Sequence, residues 1–431
     1  AAVCADYLGR FGDMQPKSGV YNNTQVEENA WTAKGLTAAR LFLGRHPSAD
    51  KWEETTRRWM LCAATCPADM RDHRPLPDGT TVRECCGNIF TLLPDFMAEN
   101  HGMVHPSYTA SALVTGANTA NLYRLFGDTE PDRWIWHHRR DIYENLKRLS
   151  DTNGIVQPVQ GMDWAYIYPA CLPVVHGMAR LYLKDPEAAH YEKAALDVAE
   201  KIIESNGGRM YNPDVARHCH DQQDPMIFRE TVAGGIVPAY LAHRLCIDET
   251  KPKNAFESPR SKYAGVRTYP HSGFVFHRHD RGQTSLSWRN EIMALPLTRD
   301  GLLTVAPSTE SVLGKVLVEE FPPSQRLEHI DVNDRQEGFT ALMRVSLHED
   351  SIVQKVLLAS LPDGRLLCRE VFRTRKACTV TRVQQGYLEI VNETLPALED
   401  NCVGHRILYG PDAEHTFPSM ICPTPDDDTR V

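Results

Sequence analysis

The chain has 431 residues, 42% of them hydrophobic and 24% charged, which is ample for a packed core and too balanced for a disordered polymer. Its 47 Lys and Arg stand against 56 Asp and Glu, and the net charge of -9 gives no broad basic field for a nucleic-acid backbone. A groove lined locally by Arg, Lys, His and Asn would still accept a polyanion, whereas no window approaches the ~20 continuous apolar residues of a membrane span.

At roughly 150 residues per domain the length suits two or three domains, and two is the working number. Twelve cysteines are sparse for this length and read as buried free thiols with at most a bridge or two. Cys62 and Cys66 sit one helical turn apart and Cys85 and Cys86 are adjacent, neither of which matches a zinc ribbon. The first residue is Ala, as a cleaved leader or a fragment would leave it.

In chain order, the first half is helical. Arg40-Leu41-Phe42, Arg124-Leu125-Phe126, Arg180-Leu181-Tyr182 and Arg244-Leu245-Cys246 recur at expected helix ends. The first three are followed by a Gly or Asp stop (Gly44, Gly127, Asp185), a proline (Pro47, Pro131, Pro186) and an aromatic that opens the next amphipathic run (Trp52, Trp134, Tyr191). The intervals are too long and uneven for tetratricopeptide or ankyrin units and suit pairs of long helices, roughly eight before residue 250. Trp52, Trp59 and Cys62 are expected on one helix face, and Tyr108, Ala112, Thr119, Leu122 and Phe126 on another.

The polar run from Asp248 to Asn254 marks a boundary, so domains are expected at 1–255 and 262–431. Beyond it the period changes to two, in Phe274-Val275-Phe276, Leu302–Val305, Val316-Leu317-Val318, Met343–Leu347 and Tyr387–Val391. Leu361-Pro362-Asp363-Gly364-Arg365 reads as a hairpin between two strands, which predicts an antiparallel β-sandwich. The fold class is α+β multidomain, helical hairpins followed by the sandwich. The chain stops soon after the polar run at Pro423–Asp428, which suits either a truncated sandwich or a disordered tail.

Four polar clusters are candidate sites. Glu99-Asn100-His101-Gly102 precedes a helix start at Pro106-Ser107, so Asn100 and His101 would stand at a loop-to-helix edge or simply cap helices. Gln157–Pro169 interleaves amides such as Gln160 with Trp164, a flat face for a sugar ring, and the phenols Tyr166 and Tyr168. In Asn212–Asp221 the His218-Cys219-His220-Asp221 run admits zinc, but Arg217, His218, His220 and Arg229 fit an anion-lined groove better. His271 and the run Phe276–Arg281 open the second domain, where alternation sends His277 and His279 to one face, toward a partner or solvent.

Phosphoryl transfer, dinucleotide redox chemistry and α/β-hydrolase chemistry lack their Gly-rich loops or nucleophile elbow. Asp163, Asp214 and Asp224 keep glycoside hydrolysis open, as paired carboxylates, and a noncatalytic carbohydrate-binding protein also fits.

Asn100-His101-Gly102, followed at a distance by Tyr166 and Tyr168 in helical hairpins joined to a sandwich, resembles the toroid-plus-sandwich polysaccharide lyases. The heparinase II/III-like and alginate lyases are the nearest such group. The resemblance implies an incomplete (α/α) toroid, β-elimination on a uronic acid polymer, and a secreted or periplasmic protein. It puts the family's Asn-His pair on Asn100 and His101, its catalytic tyrosine on Tyr166 or Tyr168, and its sandwich histidine on His271, His277 or His279. Gln160, Trp164, Arg217, His218, His220, His277 and His279 become candidate substrate contacts. The family's His-Gly-His-x-Asp-x-Leu-Ser run has no clean counterpart: Arg281-Gly282-Gln283 precedes Thr284-Ser285-Leu286-Ser287-Trp288. No cofactor is required, a structural divalent metal is compatible, and the partner is an acidic polysaccharide rather than nucleic acid or membrane.

The chemistry accounts for the residue types. Removing the C5 proton of a uronate places a second negative charge beside its carboxylate, so donors such as Asn100 and His101 must already face that carboxylate. A phenol then serves as base at C5 and acid to the departing oxygen.

Overall fold

A computed structural model describes residues 1–76, 78–127, 133–151, 154–160, 168–205, 225–246, 257–298, 302–304, 311–384, 386, 390–393, 405–409 and 414–418. The chain divides into two compact units, Ala1–Val156 with Trp164–Phe256, and Gln157–Asp163 with Glu257–Val431.

The first unit is helical: α1 (Ala2–Phe11), α2 (Val26–Phe42), α3 (Ala49–Cys62), a 3-10 turn at Pro67–Arg71, the short α4 (Val82–Cys86), α5 (Pro106–Phe126), a 3-10 turn at Arg133–Trp136, α6 (Arg139–Leu149), α7 (Tyr168–Leu181), α8 (Ala188–Ser205) and α9 (Pro225–Leu245). The recurring Arg-Leu pair closes α2, α5, α7 and α9. Its arginine sits in the last turn, where a cation offsets the negative end of the helix, and in two copies it clasps the next helix. Arg40 Nε lies 2.6 Å from Glu53 of α3 and Arg180 Nη1 3.0 Å from Glu192 of α8. Consecutive helices α2 and α3, and α7 and α8, pack together as the hairpin reading expects.

Trp52, Trp59 and Cys62 are buried in one cluster with Leu8, Leu36 and Tyr123. The α5 face differs from expectation: Tyr108, Ala112 and Thr119 are buried, but Phe126 is 69% exposed. Tyr123 goes inside instead, where its hydroxyl donates to the partly buried Glu53 Oε1 at 2.9 Å and the polar tip keeps a partner.

The second unit holds the short helix α10 (Pro259–Lys262) and antiparallel sheets. One orders β3 (Gly265–Tyr269), β4 (Phe274–His279), β5 (Gly282–Ser287) and β6 (Met293–Thr298) side by side. A second orders β12-β11-β10-β9, from β9 (Gln325–Arg335), β10 (Gly338–Leu347), β11 (Ile352–Ser360) and β12 (Leu366–Thr374). Shorter sheets pair β13 (Val380–Gln384) with β8 (Lys315–Val318), and β16 (Glu414–Pro418), β15 (His405–Tyr409), β14 (Ile390–Glu393) and β7 (Leu302–Thr304) in that order. Residues 387–389 of the last expected strand lie outside the described residues.

Period two is clean in β10, where Phe339, Ala341, Met343 and Val345 are buried and Thr340, Leu342 and Arg344 exposed. The buried set forms one core with Val275 of β4, Leu286 of β5, Ala294 of β6, and Val356 and Leu358 of β11. The 361–365 hairpin joins β11 to β12 with Gly364 at φ +80°, a conformation glycine adopts without a Cβ penalty.

β4 and β5 depart from half-buried alternation: every residue of each is buried. Val275 and Leu286 face the shared core, while the opposite face of β5 is covered by the segment at 157–160. Gln283 Nε2 donates to Pro158 O at 3.2 Å and Ser285 Oγ to Val159 O at 2.7 Å. The described cysteines are all free thiols, Cys62, Cys66, Cys85 and Cys86 among them.

Candidate functional site

Asn100 and His101 fall on a two-stranded hairpin of β1 (Glu99–Asn100) and β2 (Met103–Val104), with Asn100 opposite Met103. The turn is His101-Gly102, at φ +50° and +78°, the left-handed pair that a tight hairpin requires and that glycine supplies freely. The hairpin is anchored from below. Thr24 N–H and Oγ donate to Glu99 O at 2.9 and 3.2 Å, and Gly102 N–H donates to Asn22 O at 3.3 Å. It then feeds α5, whose first residue is Pro106, a position where the missing N–H costs nothing.

Asn100 is 6% exposed, and its Oδ1 accepts the His101 N–H at 2.9 Å. With the carbonyl so engaged, the amide's remaining capacity is its NH2, a donor, which has no hydrogen-bond partner among the described residues. The exposed His101 ring meets Tyr108 edge-on at 5.5 Å, and Tyr108 meets His105 at 4.5 Å. His105 Nδ1 in turn lies 2.6 Å from Ser107 Oγ. A donor amide, an imidazole and a phenol thus share one hairpin and the first turn of one helix. Tyr108 is the phenol that sequence reasoning missed; the spacing that could have found it is a two-residue turn followed within four residues by a proline helix start.

Tyr168 opens α7, while Tyr166, Trp164, Arg217, His218, His220, Asp163, Asp214 and Asp224 lie outside the described residues. Gln160 is fully buried, and its Nε2 donates to Arg289 O at 2.7 Å and Glu291 O at 2.6 Å, so this amide braces the chain instead of offering a free donor to a ligand. His271 is exposed in the turn between β3 and β4.

His277 and His279 do share a face, as alternation demands, but neither is solvated: they are 2% and 8% exposed. His277 Nδ1 lies 2.7 Å from Ser360 Oγ of β11, and the two rings meet edge-on at 5.0 Å. Burial pushes both imidazoles down to about 4, which keeps them neutral at ordinary pH.

A second polar centre in the helical unit was not read from the sequence. Asp69, 2% exposed, accepts His137 Nε2 on Oδ1 at 3.0 Å and His138 Nε2 on Oδ2 at 3.0 Å, with Cys66 Sγ 3.8 Å from the same His138 nitrogen. Burial would raise the Asp69 carboxyl, but the two histidines outweigh it and hold it well below the usual range. Burial likewise works against the charged His138 ring, yet bonds to Asp141, Asp69 and Cys66 raise it to about 11. Burial lowers His137, with Asp69 opposing. The signal available was Cys66-x-x-Asp69, a spacing that one tight turn brings together; its partners lie some seventy positions on.

No protein-family model matches the chain, and a search of curated proteins finds no match.

Proposed function

We propose that the chain is a polysaccharide lyase that cleaves a uronic acid polymer by β-elimination, built as an incomplete (α/α) toroid followed by a β-sandwich. Hairpin-paired helices support the first part of that architecture, and a core drawn from two antiparallel sheets supports the second. The observation that carries the reaction is the buried Asn100 amide, its carbonyl committed to the His101 N–H and its NH2 left as a donor, on the same hairpin as an imidazole that meets the Tyr108 ring edge-on.

In this reading Asn100 and His101 hydrogen-bond the uronate carboxylate and hold the charge that develops when C5 is deprotonated. A tyrosinate takes the C5 proton, the C4–C5 double bond forms, and the C4–O bond breaks with the proton passing to the departing oxygen. Tyr166 and Tyr168 are the phenols the family resemblance favours, and Tyr108 joins them on proximity to His101.

The test is a panel of alginate, heparan, hyaluronan, glucuronan and ulvan, followed by the ultraviolet absorbance of the new conjugated double bond. One substrate should give that signal. Asn100→Ala should lower kcat by roughly 100- to 1000-fold, the cost of a lost transition-state donor, with a smaller effect on binding. His101→Asn keeps a residue tolerant of the left-handed turn and removes the imidazole, so it should fold normally and turn over slowly. Reducing ends without absorbance would replace the proposal with a hydrolase, and binding without either product would replace it with a carbohydrate-binding protein.

A further inference from the structure

Among the described residues, one set of metal-ligating side chains converges: Cys66 Sγ, an Asp69 carboxylate oxygen and a His138 ring nitrogen all lie within 4.8 Å of one another. We propose that these three side chains form a zinc site in the helical unit, separate from the hairpin that carries Asn100.

Local structure explains the convergence. Cys66 caps the 3-10 turn Pro67–Arg71, and in such a turn residues three apart eclipse, so Cys66 and Asp69 stand side by side. The Asp69 carboxylate is also held by the Cys66 N–H, which donates to Oδ2 at 2.7 Å. His138 arrives from the other side at the start of α6, at φ +53°. The next residue fixes it: Arg139 is fully buried and donates to Ala112 O at 3.1 Å, Met60 O at 3.3 Å and His137 O at 3.2 Å. Donors mounted on backbone anchored this way are preorganised.

Distances and charge fit a tetrahedral dication. Arms of about 2.0–2.3 Å place ligand atoms roughly 3.3–3.6 Å apart. Two of the separations are 3.8 Å from Cys66 Sγ to His138 Nε2 and 3.0 Å from His138 Nε2 to Asp69 Oδ2, which bracket that range, and the third, from Cys66 Sγ to Asp69, lies within 4.8 Å. A thiolate and a carboxylate together balance two positive charges, so a filled site carries no net charge into its buried surroundings. The sulfur and imidazole donors select zinc over calcium or magnesium, which take oxygen.

Outer contacts complete the pattern. Asp141 Oδ2 lies 3.4 Å from the other ring nitrogen of His138, the carboxylate–histidine arrangement that orients metal-bound imidazoles, and His137 steadies Asp69 through Oδ1. A plain histidine–aspartate ion pair would account for His137, His138 and Asp69, but it has no use for a thiol against the same nitrogen. The metal would tie the 66–71 turn to the start of α6. The Phe96 ring, on the loop that runs into β1, lies 4.8 Å from His138.

The experiment is metal stripping with a chelator, then titration of the full chain with cobalt alone and zinc alone. The expected result is one tightly held equivalent, with visible bands of four-coordinate cobalt and a near-ultraviolet sulfur-to-cobalt band that zinc displaces. Cys66→Ser should abolish the sulfur band, Asp141→Asn should weaken cobalt binding by about 10- to 100-fold, and Cys368→Ser, an exposed thiol of the other unit, should change neither. A folded wild-type chain that binds no equivalent overturns the proposal, as does a sulfur band that survives Cys66→Ser. If Cys66→Ser does not fold, the wild-type stoichiometry and sulfur band decide, together with Asp141→Asn.

Discussion

His277 and His279 show how a single side chain reports its surroundings. Facing the inside of the strand unit, both lose hydration, and burial depresses each from an ordinary 6.5 to about 4. The unfolded chain binds these protons first as pH falls, so the stability they contribute is whole above about 6.5 and drains away between about 6.5 and 4. One such histidine gives a slope of up to about 1.4 kcal/mol per pH unit. His277→Gln keeps a hydrogen-bonding group opposite Ser360 but cannot titrate. The variant should therefore lose less stability than the parent between pH 7 and pH 5, by about 2 kcal/mol, when urea unfolding of the strand unit is followed at each pH. Equal losses in the two proteins would show that His277 accepts a proton in the folded state.

At the scale of elements, two of the four recurring arginines, Arg40 and Arg180, fasten consecutive helices. Arg180 of α7 holds Glu192 of α8 at 3.0 Å, and Glu192, 3% exposed, also meets His243 of α9 at 2.6 Å. Arg180→Ala strands a buried carboxylate with one partner gone, and breaking a buried pair typically costs about 3–5 kcal/mol; because Arg180 itself is 26% exposed, about 2–3 kcal/mol is expected from urea unfolding of the helical unit. A change below about 0.5 kcal/mol would show that the clasp contributes nothing. The helix ends were legible in the sequence because the Arg-Leu pair, a stop signal and a proline lie within one short stretch, whereas the acid that each arginine meets was not. The reach of β4 and β5 was not legible. Period-two reading assumes water on one face, and the segment at 157–160 that removes the water comes from more than a hundred positions upstream. The same limit hid the Cys66, Asp69 and His138 cluster, whose halves lie on different turns far apart in the chain. Asn100 and His101 were legible as an edge, since Gly102 and Pro106 mark the turn and the helix start, but which phenol stands beside them depends on how that turn aims the first residues of α5.

For the whole molecule, the relevant quantity is the net charge of -9 against a substrate that would itself be a polyanion. Like charges repel at long range, while under the proposed function the Asn100 amide and His101 would act only on contact, so encounter and chemistry should respond differently to salt. Raising ionic strength from about 0.01 M to about 0.1 M shortens the screening length from about 30 Å to about 10 Å, which removes most of the long-range repulsion and leaves close hydrogen bonds in place. KM for a long uronate polymer should therefore fall by about two- to fivefold over that range, with kcat nearly constant. A short uronate oligosaccharide, carrying few charges, should respond less, and the comparison separates field from contact. KM rising with salt would mean that a local cluster of cations outweighs the net charge where the polymer binds. In that case charge-reversal of Arg217, which stands beside His218 and His220 in the sequence, would be the next measurement.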